Sequence, residues 1–148
     1  MRARTAAVVL AAALLGLPGC RTCAQRRSEA MANLSQALLR LSSAAEGVVG
    51  YGDLPPGAGE KEILEAVAKG DPGLLAPFQG YSLHAQRQGK HAVLLVCEAG
   101  DRAGLLEDAG CSAPLEKALW AANPPEPCKF SLEASSICAA PVRVPPAP

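Results

Sequence analysis

Four cysteines in the second half of the 148-residue chain constrain the fold more than any other feature of the sequence. They are Cys97, Cys111, Cys128 and Cys138, and four cysteines allow three pairings. We favour Cys97–Cys111 and Cys128–Cys138, because each pair joins the end of a predicted strand to a cysteine one loop later. Loops of this size stabilise a fold by roughly 2–3 kcal/mol per disulfide. Such cross-links would reinforce a core that contains few aromatic side chains.

The N-terminus indicates that the chain is exported. Arg2 and Arg4 precede an uninterrupted apolar stretch, residues 5–17. This stretch is well short of the roughly 20 residues that a membrane-spanning helix needs. A short apolar run behind basic residues is typical of a secretory signal. Export would place the cysteines in a compartment where disulfides persist.

The end of the apolar stretch, Leu17-Pro18-Gly19-Cys20, resembles the lipobox of bacterial lipoproteins. Leucine stands three residues before the cysteine, and a small residue stands directly before it. The resemblance implies that residues 1–19 are a signal peptide, that Cys20 receives a diacylglyceryl group and that the new amino terminus is acylated. The partner it implies is membrane lipid. Two or more acyl chains hold a protein stably at a membrane, whereas one chain binds only marginally.

The residues after Cys20 bear on where such a lipoprotein would reside. Arg21 occupies the position where an aspartate retains lipoproteins in the inner membrane, so the resemblance implies the outer membrane, facing the periplasm. Residues 20–27 would form a short polar tether. Cleavage after Ala24 is an alternative, and it would release a soluble secreted protein lacking both Cys20 and Cys23. If Cys20 is lipidated, the CxxC spacing of these two cysteines does not form a thiol pair.

The charge balance argues against a nucleic-acid partner. The full chain has 14 basic and 14 acidic side chains, and loss of Arg2 and Arg4 with the signal peptide leaves a slight acidic excess. Nucleic-acid binders normally concentrate a basic excess on one face. Aromatic residues make up only 3% of the chain, too few for a base-stacking surface.

Two helices are predicted in the N-terminal half. The first begins at Ser28 as N-cap and carries an apolar stripe with alternating spacings of three and four. The stripe consists of Met31, Leu34, Leu38, Leu41, Ala45 and Val48. We expect it to pack on its own domain, and a short oligomeric stalk is the alternative. The second helix is predicted from Glu60 to Lys69, with Gly70 at its end.

The remainder of the chain predicts an antiparallel sheet. Residues 81–86 alternate between apolar and polar, and residues 91–97 form a nearly continuous apolar strand. A two-residue turn at Gly89 and Lys90 would join them, and residues 103–108 would add a third strand. We further predict a helix over residues 114–122, a closing strand over 128–133 and a disordered Pro-rich tail over 139–148. The fold class is therefore α+β, a single disulfide-stapled domain spanning residues 28–138.

The polar residues of the sheet do not form a recognisable catalytic or metal-binding motif. The two-residue turn would place Gln88 opposite His91 and Leu95 opposite His84. The two histidines would then share a face without being directly opposed, and both are predicted to be solvated. Glu107 and Asp108 would point to opposite faces of a strand and line a solvated edge. The four cysteines lack the close spacing of zinc ligands. The sequence thus predicts no catalytic residues, no metal site and no cofactor.

A second resemblance covers residues 92–120 together with the PPEPCKF segment that follows. These stretches are similar to small uncharacterised lipoproteins of high-GC bacteria, which implies that the hairpin, the LLEDAGC segment and Trp120 form one unit. We therefore expect an envelope lipoprotein that acts as a non-enzymatic binding, adaptor or assembly module. The alternative is a small periplasmic enzyme or thiol protein that uses Cys97, Cys23 or a histidine.

Overall fold

The computed structural model describes residues 19–139, with side chains from Cys23 onward. Nearly all of the predicted signal peptide and of the Pro-rich tail lies outside these residues. The α+β class is confirmed, because helices pack on a four-stranded antiparallel sheet. The elements are α1 (Gly19–Tyr51), α2 (Glu60–Gly70), a 3₁₀ segment (Pro72–Phe78), β1 (Tyr81–Gln88), β2 (His91–Glu98), β3 (Gly104–Ala109), β4 (Lys117–Ala118) and α3 (Ala134–Ile137).

Helix α1 packs its apolar stripe on the sheet. Leu34, Leu38 and Leu41 are at most 4% exposed and belong to the main core. The stripe is therefore buried within the chain, and not presented as the surface that a stalk would require. The described part of the helix already covers Gly19–Tyr51, so Ser28 lies inside it and the prediction of Ser28 as its N-cap is wrong.

The sheet is a meander in the order β1-β2-β3-β4. The predicted hairpin register is confirmed, with Gln88 opposite His91 and His84 opposite Leu95. Gly89 begins the two-residue turn with φ +64°, a left-handed conformation that glycine adopts without steric cost. Strand β2 is buried because α1 covers one face and the C-terminal residues cover the other.

Two predictions for the C-terminal third are wrong. The segment predicted as a helix over 114–122 instead contains β4, which pairs with β3, and the Leu119 N–H donates to the Leu105 carbonyl at 2.8 Å. A nine-residue helix is marginal on its own, whereas the extended form satisfies the open edge of β3. The segment predicted as a closing strand over 128–133 joins no ladder.

Residues 126–139, here called the C-terminal strap, cross the outer face of the sheet opposite α1. Phe130 and Leu132 pack on Val93 and Ala109, and the Gly104 N–H donates to the Glu126 carbonyl at 2.9 Å. The strap ends in the short helix α3, which the sequence did not predict. Within residues 19–139, no helix combines the length and the hydropathy that crossing a membrane requires.

Candidate functional site: two histidine–disulfide clusters

The disulfides pair differently from the sequence prediction. Cys97 bonds to Cys128, and Cys111 bonds to Cys138, with a Cα–Cα distance of 5.7 Å in each pair. The predicted disulfide cysteines are thus all used, but the favoured pairing is wrong. The reason is the strap, which returns Cys128 to the outer face of β2 and brings Cys138 beside the end of β3.

The first cluster joins one disulfide to His84. One ring nitrogen of His84 and the sulfurs of Cys97 and Cys128 lie within 4.8 Å of one another. His84 faces Leu95 across the hairpin, and Cys97 lies two positions further along the same face of β2. Diagonal neighbours of this kind are within reach of long side chains. The predicted register therefore contained the signal for this contact, although the linear spacing of the cysteines did not.

Two carboxylates hold the His84 ring in place. Its Nδ1 lies 3.0 Å from Glu60 Oε2 at the start of α2, and its Nε2 lies 2.8 Å from Asp101 Oδ1. Asp101 occupies the turn between β2 and β3 with φ +56°, a conformation that aspartate tolerates better than most residues. The same carboxylate oxygen lies 3.9 Å from the sulfur of Cys128.

This geometry favours the protonated imidazolium. Burial lowers the pKa of His84, but its hydrogen bonds to Asp101 and Glu60 outweigh that effect and raise the pKa above the ordinary 6.5. Only the cation can donate from both ring nitrogens at once. The hydrogen bond with His84, followed by one with Ser82, in turn lowers the pKa of Asp101.

The second cluster repeats the arrangement around His91. Donor atoms of His91, Cys111 and Cys138 also lie within 4.8 Å of one another. The Nδ1 of His91 lies 2.6 Å from Glu46 Oε1 on α1, and Glu46 Oε2 accepts the Ala92 N–H at 2.8 Å. The two histidine side chains are 26% and 20% exposed, so the prediction of solvated histidines is wrong.

The adjacent carboxylates Glu107 and Asp108 lie on opposite faces of β3, as predicted, but both are fully buried rather than solvated. Glu107 accepts the backbone N–H groups of Ser131 and Leu132 at 2.7 and 2.9 Å, so it fastens the strap to the sheet. Asp108 accepts hydrogen bonds from Ser42 on α1, from Ser112 and from the Glu116 N–H.

The buried carboxylates act as structural residues. Burial raises the pKa of Asp108, and the hydrogen bonds that it accepts only partly offset this effect. Both carboxylates accept hydrogen bonds from donors within this chain. Neither carboxylate lines the groove described below. They therefore position the elements that carry the clusters.

An open groove of about 1050 Å³ runs along the outer face of the hairpin beside the strap. It is lined by both histidines and by polar side chains of β1 and the strap, among them Gln86, Gln88, Lys129 and Glu133. Strand β1 borders it as the edge strand of the sheet. The residues that flank a two-residue turn, here Gln88 and His91, form a hydrogen-bonded pair. Hydrogen-bonded and non-hydrogen-bonded pairs alternate along the two strands, so the backbone N–H and C=O groups of Leu83 and Ala85 point away from β2.

The cysteines near the N-terminus lie apart from these clusters. Cys23 is exposed and unpaired among the described residues, and residues 23–30 are exposed along the first turns of α1. The side chain of Cys20 lies outside the described part of the chain. The predicted lipidation of Cys20 therefore stays a prediction.

The structure defines a disulfide-bonded α+β domain with two histidine–disulfide clusters on the outer face of a four-stranded meander. No protein-family model, no curated protein and no solved structure matches the chain.

Proposed function

We propose that the chain is an exported, lipid-anchored envelope protein that acts as a non-enzymatic binding or adaptor module. Its domain would take an extended segment of another envelope protein along the edge of β1. The observation that carries this proposal is the eight-residue edge strand bordering the groove. Within the described residues, no hydrogen bond to the backbone groups of Leu83 comes from outside the β1–β2 ladder, whereas Ala85 is buried. Unpaired strand edges are templates for strand addition.

The lining of the groove supports a peptide as the occupant. Gln86 is exposed on the groove face of β1, and Lys129 and Glu133 line the opposite side with charges of both signs. In strand addition, the edge backbone provides affinity and pockets for alternate side chains provide specificity. The mixed polar lining suits a segment that is itself polar on one face.

The anchor part of the proposal rests on Cys20, which lies within the described part of α1. A lipid on Cys20 would therefore be attached to a helix that continues into the domain. Leu34 is the first buried position of the described helix, and Ala24, Arg27 and Met31 lie beside the segment that contains Trp120.

We predict that Cys20→Ser abolishes membrane fractionation and palmitate labelling. The physical reason is that acyl chains supply the membrane affinity. Cys23→Ser is the matched control, because it removes an exposed thiol three residues away and is expected to leave both properties unchanged. Continued membrane association of the Cys20→Ser variant would contradict the anchor. Cleavage of the wild-type protein after Ala24, with its release into the medium, would contradict it as well.

The binding surface is tested with a photo-reactive side chain placed at Gln86 in the anchored protein in its own cells. We expect a discrete adduct that maps to an extended segment of another envelope protein. The same reactive group at Glu65, which is exposed on α2, serves as the control and should give none. An adduct between two copies of this chain, or equal labelling from both positions, would contradict the proposal.

A second candidate is a thiol–disulfide protein, favoured by the contact between His84 and the Cys97–Cys128 pair. Alkylation of free thiols in the purified protein distinguishes the binding module from the thiol–disulfide protein. If the chain is a binding module, Cys23 should be the only cysteine of the described residues that is alkylated. Thiols at Cys97 and Cys128 under non-reducing conditions would favour the thiol protein.

A further inference from the structure

Both histidine–disulfide clusters present the donor atoms that zinc prefers, and the cluster at His84 presents the fuller set. It contains two sulfurs, the Nε2 of His84 and the Oδ1 of Asp101. Tetrahedral zinc is bound by thiolate, imidazole and carboxylate donors at about 2.0–2.3 Å. Donors so placed lie about 3.5 Å apart. The present donor atoms of His84, Cys97 and Cys128 fall within 4.8 Å of one another, and Asp101 Oδ1 lies 2.8 Å from His84 Nε2 and 3.9 Å from Cys128 Sγ. Small side-chain movements would therefore suffice.

The surroundings of His84 match the outer shell of a metal site. Metal-binding histidines usually donate their other ring N–H to a carboxylate, which fixes the orientation of the ring. Glu60 Oε2 holds Nδ1 at 3.0 Å and leaves Nε2 directed at Asp101. Asp101 Oδ1 lies near two of the other three donor groups, at 2.8 Å from His84 Nε2 and 3.9 Å from Cys128 Sγ.

We propose that Cys97, Cys128, His84 and Asp101 form a zinc site that opens when the disulfide between the two cysteines is reduced. The cluster is then a redox-gated metal site: the disulfide form excludes the ion, and the dithiol form binds it. This inference concerns the outer face of the sheet and does not depend on the proposed binding of a peptide at β1.

The reaction balances with a dithiol as reductant. The dithiol gives two electrons and two protons to the Cys97–Cys128 disulfide and leaves as its own disulfide. Zinc then replaces the proton on each thiol and the proton on Nε2 of His84. Binding therefore releases protons, and it weakens as the pH falls because the ligands must be deprotonated.

The cluster at His91 provides a matched comparison within the same fold. It has a histidine, a cysteine pair and a carboxylate on Nδ1. Both oxygens of Glu46 are engaged, one by His91 and one by the Ala92 N–H. Among the described residues, this cluster therefore offers three zinc donors, from His91, Cys111 and Cys138. We expect zinc to bind more tightly at the His84 cluster, which has Asp101 as a fourth donor.

The test is a titration of the full-length domain with Co²⁺ and then Zn²⁺ after reduction with a dithiol and removal of the reductant. We expect the visible absorption of tetrahedral cobalt with thiolate ligands, displaced by zinc. His84→Asn should weaken the tight site by more than the roughly 10- to 100-fold that loss of an outer-shell partner costs. Asp101→Asn should weaken it as well, whereas His91→Asn should leave it unchanged.

Folding is followed in parallel by circular dichroism. If the reduced protein is less stable, zinc should raise its unfolding temperature in the wild type and in His91→Asn, but not in His84→Asn. The proposal is overturned if the reduced protein shows no thiolate–cobalt absorption. It is equally overturned if His84→Asn and His91→Asn bind alike, or if zinc restores no structure to a reduced chain that has unfolded.

Discussion

Replacement of Glu107 with alanine is expected to lower the free energy of unfolding by about 3–5 kcal/mol near neutral pH. Glu107 is fully buried, and its carboxylate accepts the N–H groups of Ser131 and Leu132 and the Ser131 hydroxyl. Alanine would leave these donors without an acceptor and open a cavity between β3 and the strap. Each buried donor left unpaired costs about 1–3 kcal/mol.

Urea unfolding with both disulfides intact measures this effect. Glu133→Ala is the matched control, because its side chain is exposed on the same strap, and it should change stability by no more than about 0.5 kcal/mol. Glu107→Gln keeps the shape and one accepting oxygen, so its cost should be smaller than that of alanine. A loss below about 1 kcal/mol for Glu107→Ala would show that water replaces the carboxylate and that other contacts hold the strap.

The local features of the fold could be predicted from the sequence. The apolar stripe on α1 could be predicted because its residues are spaced three and four positions apart. The hairpin register could be predicted from the alternation of apolar and polar residues on either side of the turn at Gly89. Both depend on residues close together in the chain. The register of His84 and Leu95 even carried the information that Cys97 lies diagonally across from His84.

The C-terminal third resisted prediction because its structure is decided by partners far away in the sequence. Residues 114–122 have a helical pattern, yet Asp108 accepts the Glu116 N–H and β3 offers an unpaired edge. Glu107 and Asp108 look like surface residues in the sequence. Their burial depends on donors of the strap and of α1, which no local pattern reveals.

The pairing of the cysteines has the same origin. Short loops favour neighbouring pairs, because the entropy of closing a loop rises with its length. In the folded state, the strap places Cys128 beside Cys97 on β2 and places Cys138 beside Cys111 at the end of β3. The fold therefore determines the pairing, despite the lower entropic cost of closing shorter loops. The two disulfides are therefore interleaved, and each spans part of the sheet and part of the strap.

The pairing itself is checked by single substitutions. Cys97→Ala should release the thiol of Cys128 for alkylation, and Cys111→Ala should release that of Cys138. Neighbouring pairs would instead expose Cys111 in the first variant. Each experiment is carried out with Cys23 replaced by serine, so that the released thiol is read without the exposed cysteine of α1.

Removal of the Cys97–Cys128 disulfide by a double alanine substitution is expected to cost about 4 kcal/mol of unfolding free energy. The cross-link closes a loop with a sequence separation of 31 residues, and the loop-entropy model assigns such a loop about 3.7 kcal/mol. Cys97 is also fully buried beside Leu95 and Leu119, so its truncation removes packing as well. The double alanine variant at Cys111 and Cys138 is the comparison. Its loop separation is 27 residues, which predicts a nearly equal entropic cost.

The difference between the two variants isolates the contribution of burial. Cys111 is exposed, so its removal adds little beyond loop entropy, and we expect about 3.5 kcal/mol for that pair. Urea unfolding of both variants measures the difference, and equal slopes would show that the two variants expose similar amounts of surface on unfolding. A larger loss from the Cys111–Cys138 pair would reverse the reasoning. It would mean that the end of the strap at α3, rather than its crossing over β2, secures the outer face on which both histidine clusters lie.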